Sequence, residues 1–202
     1  MKIAITGGIG SGKSFALKIL KSLGYACISL DDVYNKLCQN ESFVLKVCAL
    51  TETEPDIAGG KKTLDRAAVS KKVFNDKALL KKLDEFTHAQ IFEEAFRQGA
   101  PAEKNGEPVF YEVPLLFEGN YEKLFDKVWV ITRDKNARVK SAALRDKKSE
   151  SEILEKIKNQ VDYDNLNLSL HTIIKNDGSE SDLEERIKEA VGELEKQKTQ
   201  KN

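Results

Sequence analysis

The chain has 202 residues, enough for one hydrophobic core, so its length favours one domain with insertions over two separate folds. Charged residues make up 33% and hydrophobic residues 40% of the chain, which excludes a disordered chain and a disulfide scaffold. Its 33 basic and 33 acidic residues give a net charge of zero, so no global field attracts nucleic acid or an anionic membrane. We therefore predict neither a nucleic-acid nor a membrane partner, and any phosphate-binding charge must be local.

The sequence also predicts a cytoplasmic protein. No window reaches the roughly 18 consecutive apolar residues that cross a bilayer, and Met1 leads at once into a strand pattern rather than a signal peptide. The spacing of Cys27, Cys38 and Cys48 fits neither a zinc-binding pair nor an even-numbered disulfide framework. We expect ordinary buried thiols.

The first predicted elements are a strand and a helix joined by glycines. Lys2–Thr6 is a short apolar run, which predicts a buried strand, and the glycine-rich residues 7–12 predict a tight loop. Apolar residues then recur every three or four positions as far as Gly24, which is placed to end a helix. This order of strand, loop and helix is typical of the first unit of a parallel sheet.

Helices dominate the middle of the chain. Residues 25–30 predict a second strand, and residues 31–38 predict a helix with two acids in its first turn. From residue 40 to residue 99 the pattern is helical and charged throughout. This stretch indicates a helical insertion rather than another strand and helix of the sheet.

Strand patterns return in the second half of the chain. Residues 108–113, Lys127–Thr132 and Thr172–Lys175 predict three more strands. Helices are predicted at residues 136–146, at residues 150–161 and in the C-terminal segment. Strands that alternate with helices imply a three-layer α/β fold with a mostly parallel sheet.

The glycine loop at residues 7–14, Gly-Gly-Ile-Gly-Ser-Gly-Lys-Ser, matches the phosphate-binding pattern G-x-x-x-x-G-K-[ST] at every position. Its glycines let successive backbone N–H groups point at phosphate oxygens, and the helix that follows adds its positive end. Lys13 is placed to reach the β and γ phosphates, and Ser14 is placed to bind Mg²⁺. We therefore predict a nucleoside triphosphate with Mg²⁺ as the ligand of a P-loop NTPase fold. The residues predicted to bind the nucleotide here are Gly8, Ile9, Gly10, Ser11, Gly12, Lys13, Ser14 and Phe15.

Other uses of a glycine loop fit less well. A Rossmann loop needs a third glycine where Lys13 stands. A regulatory GTPase needs an Asn-Lys-x-Asp element, and the one Asn-Lys pair, at residues 35–36, is followed by Leu37 and Cys38. A motor ATPase usually needs more chain and a partner surface. A small-molecule kinase needs a phosphate loop, a carboxylate one strand away and downstream arginines, all of which are present.

Beyond the loop, the sequence resembles the dephospho-CoA kinases, which complete the synthesis of coenzyme A. The resemblance rests on the opening ITGGIGSGKS at residues 5–14, an acid after the second strand, Leu-Asp-Arg at residues 64–66, His88, and PLLFE at residues 114–118. These landmarks occur in the family's order over most of the chain. The resemblance implies ATP-dependent phosphorylation of the ribose 3′-hydroxyl of dephospho-CoA. A nucleoside or nucleoside monophosphate kinase is the alternative within the class.

The family resemblance also implies a domain organisation. A P-loop core is expected from residues 1–31, 106–134 and 162–202, with a helical CoA-binding insertion at residues 32–105 and a helical lid at residues 135–161. A monomer or a weak homo-oligomer is expected.

Catalytic roles follow from the resemblance and from the chemistry of phosphoryl transfer. Asp31 is expected to orient the ribose hydroxyl, while Lys13 and Arg145 stabilise charge on the transferred group. Glu112, at the end of the third strand, is expected to contact Mg²⁺ through water beside Ser14.

Binding roles follow from the same resemblance. Asn176, which precedes an Asp-Gly pair, matches the family's adenine-contacting asparagine. The residues implied for binding dephospho-CoA are Asp31, Arg66, His88, Pro114 and Leu115.

The sequence departs from the family pattern at three places. The family's Asp-x-Asp element is Ser-Leu-Asp at residues 29–31, and its His-Pro is His-Ala at residues 88–89. The family's first lid arginine aligns with Ser141, which leaves Arg145 as the lid's phosphate clamp and Arg138 and Lys140 as replacements.

Structural roles remain open as alternatives for several of these residues. Asp31 fits a helix cap, Arg145 a solvated surface residue, and His88 a satisfied interior group. Asp65 and Arg66 fit a helix cap and a surface ion pair.

Overall fold

The computed structural model describes residues 1–163 and 165–199. The elements in chain order are β1 (Lys2–Thr6), α1 (Lys13–Ser22), β2 (Ala26–Ser29), α2 (Leu30–Leu37), α3 (Glu41–Thr51), β3 (Asp56–Ala58), β4 (Lys61–Thr63), α4 (Arg66–Val73), α5 (Lys77–Lys104), β5 (Val109–Glu112), β6 (Lys127–Thr132), α6 (Lys135–Asp146), α7 (Glu150–Lys158), β7 (Thr172–Lys175) and α8 (Glu180–Thr199).

A five-stranded sheet in the order β2-β5-β1-β6-β7 confirms the predicted α/β fold. β1 pairs in parallel with both β5 and β6, and β6 pairs in parallel with β7. Residues Ile3, Ala4 and Ile5 of β1 are fully buried, which explains why the strand reads as a continuous apolar run. Because these strands are parallel, the loops that follow β1, β5 and β6 leave the same edge of the sheet.

Contacts between residues divide the chain into two compact units, Met1–Ile28 with Gly99–Asn202, and Ser29–Gln98. The core of the first unit joins β1, α1, β6 and α8, with further contacts from β5 and β7. Its most deeply buried members include Ile3, Ile5, Leu20, Trp129 and Ile187. A second cluster in this unit packs α6 against α7 through Val139, Ala142 and Ile153, with Ile9 of the glycine loop against it.

The second unit has a core of its own, built from α2, α3, α4 and α5. Phe43 of α3 stacks on Phe86 of α5 with 5.8 Å between ring centroids. The prediction of helix throughout residues 40–99 is wrong at one place, because β3 and β4 form an antiparallel hairpin. Gly59 and Gly60 join the two strands at φ values of 58° and 78°. A Gly-Gly pair with both φ values positive favours a two-residue hairpin turn, and this signal was available in the sequence.

Two general expectations can be compared with the described residues. All three cysteines are free thiols, as predicted; Cys38 and Cys48 are buried, whereas Cys27 is half-buried, so the prediction of a buried thiol is wrong there. Among the helices of residues 1–163 and 165–199, none combines the length and apolar character that a membrane span requires.

Candidate active site

The loop between β1 and α1 has the geometry of a phosphate-binding turn. Gly12 is the N-cap of α1 at a φ of 101°, and it has no side chain with which to cap the helix. Glycine adopts this left-handed conformation without a Cβ penalty. The first turn of α1 also carries no acidic residue. The positive end of the helix, with no acidic side chain in its first turn, therefore suits an incoming phosphate.

Side chains from other elements pack closely against the loop. A Cβ at Gly8 would meet the guanidinium of Arg138, and a Cβ at Gly12 would meet Nδ2 of Asn176. Arg138 is only 4% exposed, and Nδ2 of Asn176 donates a hydrogen bond of 2.8 Å to the Ser11 carbonyl oxygen. Arg138 and Asn176 therefore support the shape of the loop.

Lys13, Ser14 and Glu112 form a polar group at the start of α1. Nζ of Lys13 donates to the carbonyl oxygens of Gly7 and Gly8, at 2.8 and 3.2 Å. Oγ of Ser14 donates to Oε1 of Glu112 at 2.7 Å, and Glu112 is 6% exposed at the end of β5. The hydroxyl and the carboxylate together present oxygen atoms of the kind that Mg²⁺ prefers.

The fit to magnesium does not require a larger protein cage. Within residues 1–163 and 165–199, no group of three or more His, Cys, Asp or Glu side chains is arranged to hold a metal ion. Mg²⁺ in kinases is usually held by one or two carboxylates together with water and substrate phosphates. Ser14 and Glu112 match that limited requirement.

A pocket of about 220 Å³ opens beside the start of α1. It is lined by Gly10, Gly12, Lys13, Ser14, Phe15, Arg133, Ser141, Ala142 and Arg145. Five of the residues predicted to bind ATP thus share one pocket with Arg145 of α6. Ser11 is buried, and the backbone N–H of Ile9 donates to Oε1 of Gln160 at 2.8 Å.

Arg145 lies at the C-terminal end of α6 and is charge-paired. Its Nε donates to Oδ1 of Asp146 at 2.8 Å. This hydrogen bond is the main cause of a raised Arg145 pKa, and the charge of Glu112 raises it further. The same bond to Arg145 lowers the Asp146 pKa to about 2. Arg145 is therefore a permanent cation in the pocket, although its side chain is 63% exposed.

The expected replacements for a lid arginine occupy other places. Arg138 is buried against the loop, and Lys140 is exposed on α6. Of the described residues that line the 220 Å³ pocket, the second arginine is Arg133. Its Nη1 donates to Oγ of Ser141 at 2.8 Å. Sequence reasoning missed Arg133, and the available signal was a charged residue directly after the buried strand β6.

A second element that sequence reasoning missed is the segment after α7. The predicted helix to residue 161 is wrong at its end, because α7 stops at Lys158. The chain then runs along the loop, where Gln160 accepts from Ile9 and the Tyr163 hydroxyl lies 3.2 Å from Oγ1 of Thr6. Burial raises the Tyr163 pKa to about 12, so this hydroxyl stays neutral.

In the second unit, the start of α2 differs from the prediction by one residue. The helix begins at Leu30, and Oγ of Ser29 accepts from the backbone N–H of Asp32 at 3.4 Å. Ser29 is therefore the cap, and the alternative in which Asp31 caps the helix is wrong. Asp31 is exposed in the first turn, where the helix dipole favours a carboxylate.

Arg66 borders a separate pocket within the second unit. Its Nη2 donates to Oδ1 of Asn35 at 2.7 Å, and its Cζ lies 4.8 Å from the centroid of the Tyr34 ring. The pocket measures about 470 Å³ and is also lined by Lys61. The carboxylate of Asp65 accepts from two backbone N–H groups of α4, so the helix-cap alternative for this residue is confirmed. His88 is half-buried in α5.

The PLLFE segment after β5 divides into core and accessible residues. Leu116 and Phe117 are buried, whereas Leu115 is 47% exposed and Pro114 is half-buried. Oε1 of Glu118 accepts from the backbone N–H of Val161. Pro114 and Leu115, the two residues expected to contact substrate, are therefore the accessible ones.

Comparisons with known proteins agree on one family. The family model described as dephospho-CoA kinase matches residues 1–182. A Helicobacter pylori dephospho-CoA kinase is 32% identical over 188 residues, which cover 92% of this chain and 93% of the relative. A Campylobacter jejuni dephospho-CoA kinase structure has a TM-score of 0.70 at 32% identity and covers 98% of this chain and 100% of that chain. The crystal structure of TT1252 from Thermus thermophilus has a TM-score of 0.80 at 29% identity, over 96% of this chain and 97% of that one.

Proposed function

The chain belongs to the dephospho-CoA kinase family, and we propose that it transfers the γ-phosphoryl group of ATP to the ribose 3′-hydroxyl of dephospho-CoA. The product is coenzyme A, and the reaction is the final step of its biosynthesis. The observation that carries this proposal is the family match over residues 1–182, which includes the complete phosphate loop.

ATP binds with its phosphates against the start of α1. The backbone N–H groups of residues 10–15 surround the β phosphate, and Lys13 turns from the loop carbonyls to the β and γ phosphates. Arg145 stabilises the negative charge that spreads over the transferred group. Ser14 and Glu112 would hold Mg²⁺, which would supply positive charge to offset the negative charge of the phosphates.

The acceptor side of the reaction depends on Asp31. Its carboxylate accepts the hydrogen bond of the ribose 3′-hydroxyl and so turns an oxygen lone pair towards the γ phosphate. Residues 32–105 are proposed as the CoA-binding insertion, with Arg66 and His88 as contacts for dephospho-CoA. Pro114 and Leu115 supply accessible apolar surface for the same substrate. Residues 135–161 are proposed as the lid, and Asn176 as an adenine contact.

The partners proposed are therefore small anionic molecules, ATP and dephospho-CoA. A neutral chain has no field that concentrates nucleic acid or membranes. We place the reaction in the cytoplasm and expect a monomer or a weak homo-oligomer.

A panel of acceptors and donors tests the function. Purified protein with Mg²⁺ is mixed with ATP and one of three acceptors: dephospho-CoA, a nucleoside or a nucleoside monophosphate. We expect phosphorylation of dephospho-CoA at its 3′-hydroxyl, detected by mass spectrometry and ³¹P NMR. Phosphorylation of the nucleosides or monophosphates alone would indicate the other kinase class. Hydrolysis of GTP without any transfer would indicate a GTPase.

Asp31→Asn tests the acceptor side. The amide keeps the size of the side chain but loses the negative charge, so kcat should fall by about 10²- to 10⁴-fold while the affinity for ATP is unchanged. Asp32→Asn is the matched control, because Asp32 is an exposed acid in the same helical turn. Equal rates for the two variants would remove Asp31 from the mechanism.

A further inference from the structure

We propose that Arg133 is a second phosphate-binding cation of the nucleotide pocket and that Ser141 is the positioning residue that holds its guanidinium there. Nη1 of Arg133 donates to Oγ of Ser141 at 2.8 Å, and both residues line the pocket beside the start of α1. The proposal rests on the proposed use of this pocket by ATP.

The backbone on both sides of Arg133 is fixed. Thr132, the last residue of β6, accepts from the backbone N–H of Asn176 at 2.8 Å. The backbone N–H of Asp134 donates to Oδ1 of Asp177 at 2.9 Å. β6 also pairs with β1, the strand that leads into the phosphate loop. Arg133 therefore starts from a rigid point next to the loop, so little backbone ordering is needed when its side chain binds a ligand.

Ser141 orients the guanidinium without neutralising it. A guanidinium has five N–H donors in a planar fork, and Ser141 accepts from one nitrogen only. A hydroxyl carries no charge, so the cation keeps its full attraction for an anion. Arg145 differs, because its Nε is paired with the carboxylate of Asp146. Among the described residues, no carboxylate forms an ion pair with Arg133.

The ligand that fits this arrangement is the triphosphate rather than the base. Arg133 is half-buried in a pocket that also contains Lys13 and the start of α1. Three positive features, namely the ammonium, the helix start and the guanidinium, therefore converge on one small space. Arginine binds phosphate oxygens with two parallel hydrogen bonds, and such charge-assisted bonds are stronger than neutral ones.

Three variants test the pair. Arg133→Ala should raise the ATP dissociation constant and KM for ATP by about 10- to 100-fold, and Arg133→Lys should recover part of this loss. Ser141→Ala should raise KM for ATP by a smaller factor, about 3-fold, without a change in melting temperature. Lys135→Ala is the matched control, because it removes one exposed cation two residues away, outside this pocket.

An exchange of the two side chains separates ligand binding from a structural role. In the double variant R133S/S141R the guanidinium starts from α6 and points back to the same contact. We expect it to recover at least 10-fold of the ATP affinity that R133S alone loses. A structural role for Arg133 would give no recovery, together with a lowered melting temperature, and would overturn the proposal.

The type of ligand is tested by calorimetry with three probes: ATP, inorganic tripolyphosphate and adenosine. Arg133→Ala should weaken the binding of ATP and of tripolyphosphate and leave the affinity for adenosine unchanged. Weaker binding of adenosine, with unchanged binding of tripolyphosphate, would show that Arg133 contacts the nucleoside and would contradict the proposal. If dephospho-CoA is not phosphorylated but Arg133→Ala still weakens the binding of ATP, the proposed function is wrong and the proposal for Arg133 is supported. If dephospho-CoA is phosphorylated and Arg133→Ala has the same KM for ATP as Lys135→Ala, the proposed function is supported and the proposal for Arg133 is contradicted.

Discussion

Two helices border the 220 Å³ pocket in which we propose that ATP binds, and they contribute to it in different ways. The N-cap of α1 is Gly12, which has no side chain to cap the helix, and the start of α1 supplies backbone N–H groups. The N-cap of α6 is Asp134, whose carboxylate accepts from the backbone N–H of Ala137, and α6 supplies side chains to the pocket, Ser141 and Arg145. The pocket therefore has a backbone half, formed by the start of α1, and a side-chain half, formed by Arg133, Ser141 and Arg145. We expect a substitution to weaken ATP binding more in the backbone half than in the side-chain half.

The strongest test of this comparison is Gly12→Ala. Alanine would be strained at a φ of 101°, and its Cβ would collide with Nδ2 of Asn176, which is held by a hydrogen bond to Ser11. We expect ATP binding to fall below detection by calorimetry. Gly24→Ala is the matched control, because Gly24 has a φ of 91° but nothing within 4 Å of an added Cβ. Near-normal ATP affinity in Gly12→Ala would contradict the account of the backbone half.

Arg145→Ala tests the side-chain half and should have a smaller effect. We expect kcat to fall by about 10- to 100-fold, because one cation is lost while Lys13 and Arg133 remain. Leu144→Ala is the control, since Leu144 is 83% exposed in the same helix.

The Asp146 pKa of about 2 means that this carboxylate becomes protonated only as the pH falls towards 2. The ion pair between Asp146 and Arg145 is therefore intact between pH 5 and pH 9, and the fold-loss of kcat in Arg145→Ala should be the same throughout that range.

Gln160→Ala should have the smallest effect. Its Oε1 accepts from Ile9, so the substitution removes one hydrogen bond from the edge of the loop. A neutral hydrogen bond contributes about 1 kcal/mol, and KM for ATP should therefore change by about 5-fold. Asn159→Ala is the control, because the Asn159 amide bonds only to a carbonyl of its own helix, among the contacts described. A 10- to 100-fold loss, as large as that expected for Arg145→Ala, would mean that Gln160 does more than hold the edge of the loop.

The same contrast explains what the sequence could predict. Residues 7–14 could be assigned one by one, because positions such as Gly10 and Gly12 adopt φ values of 76° and 101° that only glycine meets easily. The side-chain half could not be assigned by spacing. A guanidinium sits at the end of a long side chain, so it can reach one point from several Cα positions. Arg133 therefore lies in the pocket, while Arg138 is buried against the loop.

The prediction of local structure was wrong where a short turn signal lay inside a longer helical pattern. The Gly59-Gly60 turn was hidden inside a charged stretch that reads as helix. Ser29 was interpreted as a missing acid, whereas the structure gives it a role as the cap of α2. Parallel strands were easier to predict, because burial on both faces produces continuous apolar runs such as Lys2–Thr6.

The central claim is that backbone N–H groups at the start of α1 bind the triphosphate. The most direct measurement is a titration of ¹⁵N-labelled protein with Mg²⁺ and a non-hydrolysable ATP analogue, followed by two-dimensional NMR. We expect saturable shifts, largest at the amides of Gly10, Gly12 and Lys13, and no such shifts in Gly12→Ala. Saturable binding that leaves these three amides unshifted would contradict the account.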